Sequence, residues 1–426
     1  MAQLKDDCFA FGGALMPLAD ALSVLADRVG PVTATETIAL RAALGRVLAA
    51  DVTTTRDVPP HDNSAVDGYA VYSDDLKADA ETRLKVVGRV AAGHPLTHPA
   101  RRGEAVRIFT GAAMPIGPDG SQKTGPDAVF MEEDCERAGD YVICPPGLKR
   151  GANRRFSGED VKKGDVILRR GQRLRAQEIG LAASVGQAEL AVYERLRAAV
   201  FSTGDEVRDP SDDAPAGCIF DANRFAVMAL LENLGAEITD LGILADDAKT
   251  VTAALRKASK DHDLLVTSGG ISAGEEDHVR AAVAALGQIH FWRLAIRPGR
   301  PIALGQVGAT AFLGLPGNPV AAMVTFLVIG RPLVLLLSGA TDVASARFPV
   351  VAGFDYKKKK GRREWARVRL QSNGSGRPVA VKYRASGAGI LSSMVEADGL
   401  VELPEDMDGL KRGAVVDFLP FSGVMG

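Results

Sequence analysis

Cysteine is scarce in this sequence. The 426 residues contain four, Cys8, Cys135, Cys144 and Cys218, which lie far apart with no C-x-x-C pair and no histidine at zinc-ligand spacing. That argues against a zinc cluster, and a reduced, metal-free thiol set fits the cytosol. Excess charge of either sign is also lacking: 51 lysines and arginines face 53 aspartates and glutamates, a net of -2. No global positive field exists to hold a nucleic acid, so any anion needs a local site. Long apolar runs are missing as well. The most membrane-like run, Ala321 to Ala340, is cut by Arg331 and Pro332, whereas a span needs about 20 uninterrupted apolar residues. No membrane span is expected. The first 29 residues include an apolar stretch, but Asp6 and Asp7 outweigh Lys5, and Asp20 falls where a signal peptide is apolar. They read as a starting helix. No internal repeat is visible.

What remains is ordinary globular composition, with 46% hydrophobic and 24% charged residues. At roughly 100–200 residues per domain the length suggests about three domains. Between Arg197 and Gly339 short apolar runs alternate with amphipathic segments. Ala198–Ser202, Ile238–Leu244 and Leu264–Thr267 read as strands; Asn223–Leu234 and Ala248–Ala258 read as helices. Val279, Ala282, Val283 and Leu286 form one helical stripe. That alternation predicts βαβ crossovers and a parallel sheet covered by helices. Phe348 to Pro420 has short strands between turn clusters, and Ala366, Val368 and Leu370 alternate with Arg367 and Arg369, a half-buried strand of a small barrel or sandwich. Residues 51–149 are rich in β-formers, flanked by helical readings at Leu18–Leu48 and Ala176–Ala183, so the middle block reads as an insertion.

In an open parallel sheet, ligands collect beyond the carboxyl ends of the strands, where helix amino termini converge. Four polar loops fall there and should face one crevice: Ser202–Glu206, Ala245–Asp247, Ser268–Asp277 and Leu315–Pro319. In the third, Gly269, Gly270 and Gly274 can turn amides toward a phosphate; a tight strand-to-helix turn explains them equally well. The acids beside it would repel a phosphate unless a hard cation such as Mg²⁺ bridges Asp277 and Glu206 to its oxygens. Asn318 and Pro319 make a good helix cap without any ligand. Arg293, Arg297 and Arg300 precede that cap, and in an extended strand the first two share a face that can clamp an oxyanion. His94 and His98 are loop histidines without a third ligand, and KKKKGRRE from Lys357 is a solvated basic turn.

Eight motifs in this order, DNSAVDGYAV, IFTGAAMP, DAVFMEED, SGEDV, STGDEV, TSGGISAGEED, IRPGRPIA and LPGNPVAA, run from Asp62 to Ala322. With IFDANRFAV at Ile219 and the serine pair at Ser392, the chain resembles the molybdopterin molybdenumtransferases, the MoeA-type and gephyrin-like insertases. The resemblance implies a multidomain α/β protein: a central three-layer α/β domain with a parallel-dominated sheet at 186–338, an inserted β-rich domain at 51–149, an elongated linker and dimerisation domain at 1–50 plus 150–185, and a C-terminal small β-barrel at 339–426. It implies that molybdate and adenylylated molybdopterin give molybdenum cofactor and AMP with Mg²⁺ assisting. The setting it implies is a cytoplasmic homodimer between an upstream adenylyltransferase and downstream carriers or molybdoenzymes, with no nucleic acid and no membrane.

Carried over residue by residue, Glu206 and Asp277 hold the cation, with Ser268, Gly269, Gly270, Ser272 and Gly274 beside the phosphate. Asp246, Asp160, Thr110 and Asp67 line the pterin-nucleotide pocket. Pro316, Pro319, Arg293, Arg297, Arg300, Arg367 and Ser392 or Ser393 surround molybdate. The pterin's own sulfurs take the metal, which removes any need for a cysteine cluster. Three features depart from the family pattern: arginines stand where lysines are usual at Arg293, Arg297 and Arg300, His61 replaces an aromatic, and the loop Ile116–Pro126 is long. A non-catalytic cofactor carrier on the same fold is the alternative reading, and a nucleotide pyrophosphatase resting on the α/β domain alone is a third.

Overall fold

The computed structural model describes residues 15–270, 278–372, 374 and 376–425. Two compact units emerge. One comprises the described parts of Asp51–Arg169 and Ala176–Ala188; the other comprises those of Met1–Ala50, Arg170–Arg175 and Glu189–Gly426.

The first unit is built on a six-stranded sheet in the order Ala128–Met131, Gly68–Val71, Glu104–Ile108, Thr82–Val90, Tyr141–Cys144 and Glu136–Ala138. Its strands alternate their side chains between two cores. Ala70, Val106, Ile108 and Val129 fill one face, and Tyr69, Val71, Ala105 and Phe130 the other.

The second unit holds the strand–helix alternation expected from the sequence. Its sheet order is Glu237–Leu244, Arg197–Thr203, Leu264–Ser268, Thr310–Leu315, Pro301–Val307 and Gly287–Arg293. The first four strands are parallel, Pro301–Val307 runs antiparallel to them, and Gly287–Arg293 runs antiparallel to Pro301–Val307. Helices Asn223–Asn233, Ala248–Ala258 and His278–Leu286 cover it, and Val279, Ala282 and Val283 are buried as the stripe predicts. The C-terminal segment closes on itself. Arg363–Gln371 pairs with both Val379–Lys382 and Gly399–Leu403, and Phe348–Ala352 and Val415–Pro420 complete a five-stranded barrel. A short strand at Ile296–Arg297, leaving the α/β sheet, joins the barrel beside Arg363 and Glu364.

Three local expectations are corrected. Leu18–Leu48 is not one helix: the helix ends at Arg28, and Thr35–Ala39 is a strand paired with Glu189–Tyr193, because Gly30, Pro31 and the β-branched Val32, Thr33, Thr35 and Thr37 oppose helix continuation. Arg331 and Pro332 do not interrupt the apolar run. Pro319–Thr325, a π turn at Phe326–Gly330 and Arg331–Leu337 follow one another, with Arg331 N donating to Phe326 O, so the proline falls where the backbone pattern has already shifted. This stretch is long and apolar enough to cross a membrane, yet 89% of it is buried inside the protein, as a core helix is. Finally, the strand carrying Ala366 and Val368 is buried on both faces: Trp365 is 4% and Arg367 5% exposed.

Arg224 fixes the turn region near the sheet's carboxyl end. It is 2% exposed and pairs with Asp209, Asp221 and Asp240. Replacing it with methionine strands Asp221, itself 5% exposed. Arg224→Met should therefore cost about 3–5 kcal/mol of stability in urea unfolding; a loss below about 1 kcal/mol would contradict this role.

Candidate functional site

The parallel strands end at Thr203, Leu244, Ser268 and Leu315, and three of these ends converge. Ser202, Thr203, Glu206, Phe220, Asn223, Ser268, Gly269, Gly317 and Pro319 line a cleft of about 150 Å³. The Ala245–Asp247 loop is not part of that lining. Asp247 caps the following helix, accepting from Lys249 N and Thr250 N; the Thr250 side chain first, then its amide, holds the carboxyl below the usual range, while Asp246 is exposed.

Gly269 and Gly270 have φ of +89° and +61°, so the chain turns as glycine allows. A Cβ on Gly270 would lie 2.6 Å from Thr203 Oγ1. The amide of Gly269 is already committed, donating to Leu315 O at 3.1 Å. Asn223 ties the loops together, a role the sequence reading missed. Its Nδ2 donates to Ser268 Oγ and to Gly317 O, and Ser268 Oγ donates to Pro316 O. The signal was an asparagine at a helix start whose side chain does not cap that helix; Asp221 does so, accepting from Arg224 N.

Gly269 and Gly317 also border a second, larger cavity of about 560 Å³. Arg297, Pro316, Asn318, Tyr356, Trp365, Arg367, Lys382 and Ser386 contribute to its walls. It is closed by a barrel loop: Val320 N, at the start of the core helix, donates to Ala388 O. That bond replaces the cap expected from Asn318, whose side chain makes no capping bond. Asn318 lines the cavity instead.

Charge is distributed unevenly here. The described lining contains three cations, Arg297, Arg367 and Lys382, and no carboxylate. Arg367 Nη2 donates to Ala385 O at 3.1 Å, while its Nε is buried without a partner. Burial, with no anion beside it, pushes the Arg367 guanidinium down from its usual pKa. Arg297 is exposed and lies 3.7 Å from the buried Glu364, which also pairs with Arg362 and accepts from Tyr356 Oη. Burial, reinforced by Glu364, raises the Tyr356 pKa, so the phenol stays a donor.

Arg293 and Arg297 do not share one strand. The sheet strand ends at Arg293, and Arg297 belongs to the short strand on the barrel, because the chain folds back with Leu294 N donating to Arg300 O. Arg293 and Arg300 are exposed and are not among the described lining residues. Ser393 is buried with its hydroxyl donating to Ile390 O; Ser392 is exposed, 3.4 Å from Tyr383 Oη. Ser272, Gly274 and Asp277 lie outside the described residues. The described residues contain no group of three or more histidine, cysteine, aspartate or glutamate side chains placed to hold a metal.

In the other unit, Asp67 accepts from both the N and the Oγ1 of Thr110 at 2.7 Å. The backbone bond first, then the hydroxyl, holds the Asp67 carboxyl below its usual range. Asp160 is exposed on the turn after Phe156. Because its folded pKa is depressed, Asp67 supports the fold above its unfolded value and loses that support as pH falls through the lower folded value. Thr110→Val removes the hydroxyl alone and should raise the Asp67 pKa toward 3.8 in a carboxylate NMR titration; an unmoved pKa would contradict this pairing.

Three family models match consecutive parts of the chain: the MoeA N-terminal region (domain I and II) at residues 16–186, the "Probable molybdopterin binding domain" at 199–335, and the MoeA C-terminal region (domain IV) at 349–421. A molybdopterin molybdenumtransferase of Haemophilus influenzae is 36% identical over 97% of this chain and 100% of its own length. One from Nostoc is 33% identical over 87% and 85%. The crystal structure of a molybdopterin biosynthesis MoeA protein from Pyrococcus horikoshii superposes with a TM-score of 0.81 at 29% identity, over 96% of this chain and 100% of the other. Matched along nearly its whole length in sequence and fold, the chain belongs to the MoeA family of molybdopterin molybdenumtransferases.

Proposed function

We propose that the chain transfers molybdenum from molybdate to adenylylated molybdopterin, releasing AMP, with molybdate held in the larger cavity and the adenylate phosphate in the smaller cleft. The observation that carries the reading is the acid-free wall bearing Arg297, Arg367 and Lys382. Molybdate is a tetrahedral dianion, and at 4 Å one fixed charge contributes about 4 kcal/mol at an effective dielectric of about 20. Gly269 and Gly317 border both spaces, so the two substrates would meet across a wall of backbone alone.

The carboxylate of Glu206, at the smaller cleft, is a hard oxygen donor of the kind Mg²⁺ takes together with phosphate oxygens and water. With Asp277 it would hold the cation, which when bound polarises the phosphate linkage. Ser268 and the glycine turn would orient the phosphate. Asp67, Asp160, Thr110 and Asp246 would contact the pterin-nucleotide, Pro316 and Pro319 would shape the molybdate end, and Ser392 would reach the oxyanion. Arg293 and Arg300, exposed near the site, would steer molybdate inward. Two copies of the chain would act as a homodimer, fed by an adenylyltransferase and delivering cofactor to carriers or molybdoenzymes in the cytoplasm. Catalysis in this reading is positioning and electrostatics.

AMP release from adenylylated molybdopterin and Mg²⁺, followed with and without molybdate, tests the reading. Molybdate-dependent AMP is expected. AMP formed equally without molybdate would point to a pyrophosphatase, and tight cofactor binding without AMP to a carrier. Arg367→Ala should raise the KM for molybdate roughly 10–100-fold, the cost of one charged hydrogen bond; an unchanged KM would remove the cavity assignment. Glu206→Gln should raise the Mg²⁺ concentration needed for half-maximal rate by roughly tenfold or more.

A further inference from the structure

The larger cavity contains one donor that the reading above leaves unused, the indole of Trp365, and one, Lys382, that the reading counts for its charge without giving it a contact. Trp365 is 4% exposed, and its indole Nε1 is buried with no hydrogen-bond partner. A buried indole N–H normally finds an acceptor. Trp365 and Arg367 stand two residues apart on one strand and therefore share a face. Both have a buried nitrogen, Trp365 Nε1 and Arg367 Nε, that lacks an acceptor. Both residues line a cavity whose described walls hold no carboxylate, so a ligand that only accepts is the kind of partner their unmet donors call for.

Lys382 enters from the neighbouring strand, where it pairs with Val368. It is half-buried and lines the cavity, and its Nζ donates to Tyr383 O at 3.1 Å. An ammonium has further protons to give. Lys382 also lines a depression of about 460 Å³ with Arg369, Tyr383 and Arg384. Its flexible stem therefore borders both the inner cavity and the outer surface.

We propose that Trp365 and Lys382 are oxyanion-contacting residues of this cavity, the indole N–H acting as a fixed neutral donor and the ammonium as a movable charge. Together with Arg297 and Arg367 they give a tetrahedral dianion donors from two barrel strands and from the α/β side. The inference rests on the reading of this cavity as the molybdate site and deepens it. A neutral, rigid donor adds direction without further charge, which favours an anion of matching shape over one of matching charge alone.

Trp365 supplies its own probe, since Trp292, the other tryptophan, is fully buried in the core. Molybdate would be titrated into the full chain with intrinsic fluorescence and calorimetry as parallel readouts. Emission should change on binding in the wild type. Trp365→Phe should lose that change and weaken molybdate binding about tenfold. Lys382→Met should weaken it about tenfold or more, with Lys382→Arg recovering most of the loss. Lys382 is only half-buried, so its variants keep the test alive if Trp365→Phe folds poorly. If the wild type binds molybdate and both Trp365→Phe and Lys382→Met match its calorimetric affinity, this inference falls while the molybdate reading stands. If the wild type binds no molybdate, both fall together.

Discussion

The site depends on holding three like charges around one cavity with a carboxylate, Glu364, behind only one of them, Arg297. Arg297, Arg367 and Lys382 line one cavity whose described walls carry no acid, and mutual repulsion in a partly dried space disfavours that arrangement unless the fold imposes it. The fold does so by closure. The short strand Ile296–Arg297 is drawn out of the α/β sheet onto the barrel, and the barrel loop at Ala388 caps the core helix in return. One continuous apolar core then runs from the sheet through Phe326 and Leu333 of that helix to Trp365 and Leu400 of the barrel. Glu364 sits beneath, fully buried, taking Arg362, Tyr356 and the more distant Arg297. It steadies the scaffold and leaves Arg367 with its burial uncompensated.

A cavity of this kind selects its ligand by what it lacks. Carboxylate walls would bind a cation; three cations, with the indole donor inferred above, would favour an acceptor-only anion. In the proposed function, metal and phosphate chemistry would fall on the other side of the Gly269–Gly317 ridge, where Glu206 lines a smaller cleft. Such a division would separate the phosphate end of one substrate from the oxyanion to be delivered, and Asn223 fixes the ridge by bonding both of its loops. Arginine at position 297 suits a rim residue, because its planar fork can serve Glu364 and a ligand together.

Much of this was legible in the sequence because it is periodic. The helices at Asn223 and Ala248, the strands at Ala198 and Leu264 and the stripe at Val279 follow from local spacing alone, whereas only three of the four polar loops expected in one crevice contribute to the cleft. What was not legible depended on tertiary closure. Arg367 reads as the outward face of a half-buried strand, yet the α/β domain covers that face. Arg293 and Arg297 share a face only if the strand continues, and the fold-back between Leu294 and Arg300 ends it. Asn318 resembles a cap, but the cap came from Ala388, about seventy residues downstream. Trp365 and Lys382 carry no motif at all; their place is set by a barrel register that no local pattern encodes.

The most direct test of the account is where a heavy oxyanion lodges. Crystals of the full chain soaked in molybdate should give an anomalous difference peak inside the cavity bounded by Arg297, Arg367, Trp365 and Lys382. A peak confined to the exposed arginines at 293 and 300, or beside Glu206, would contradict it.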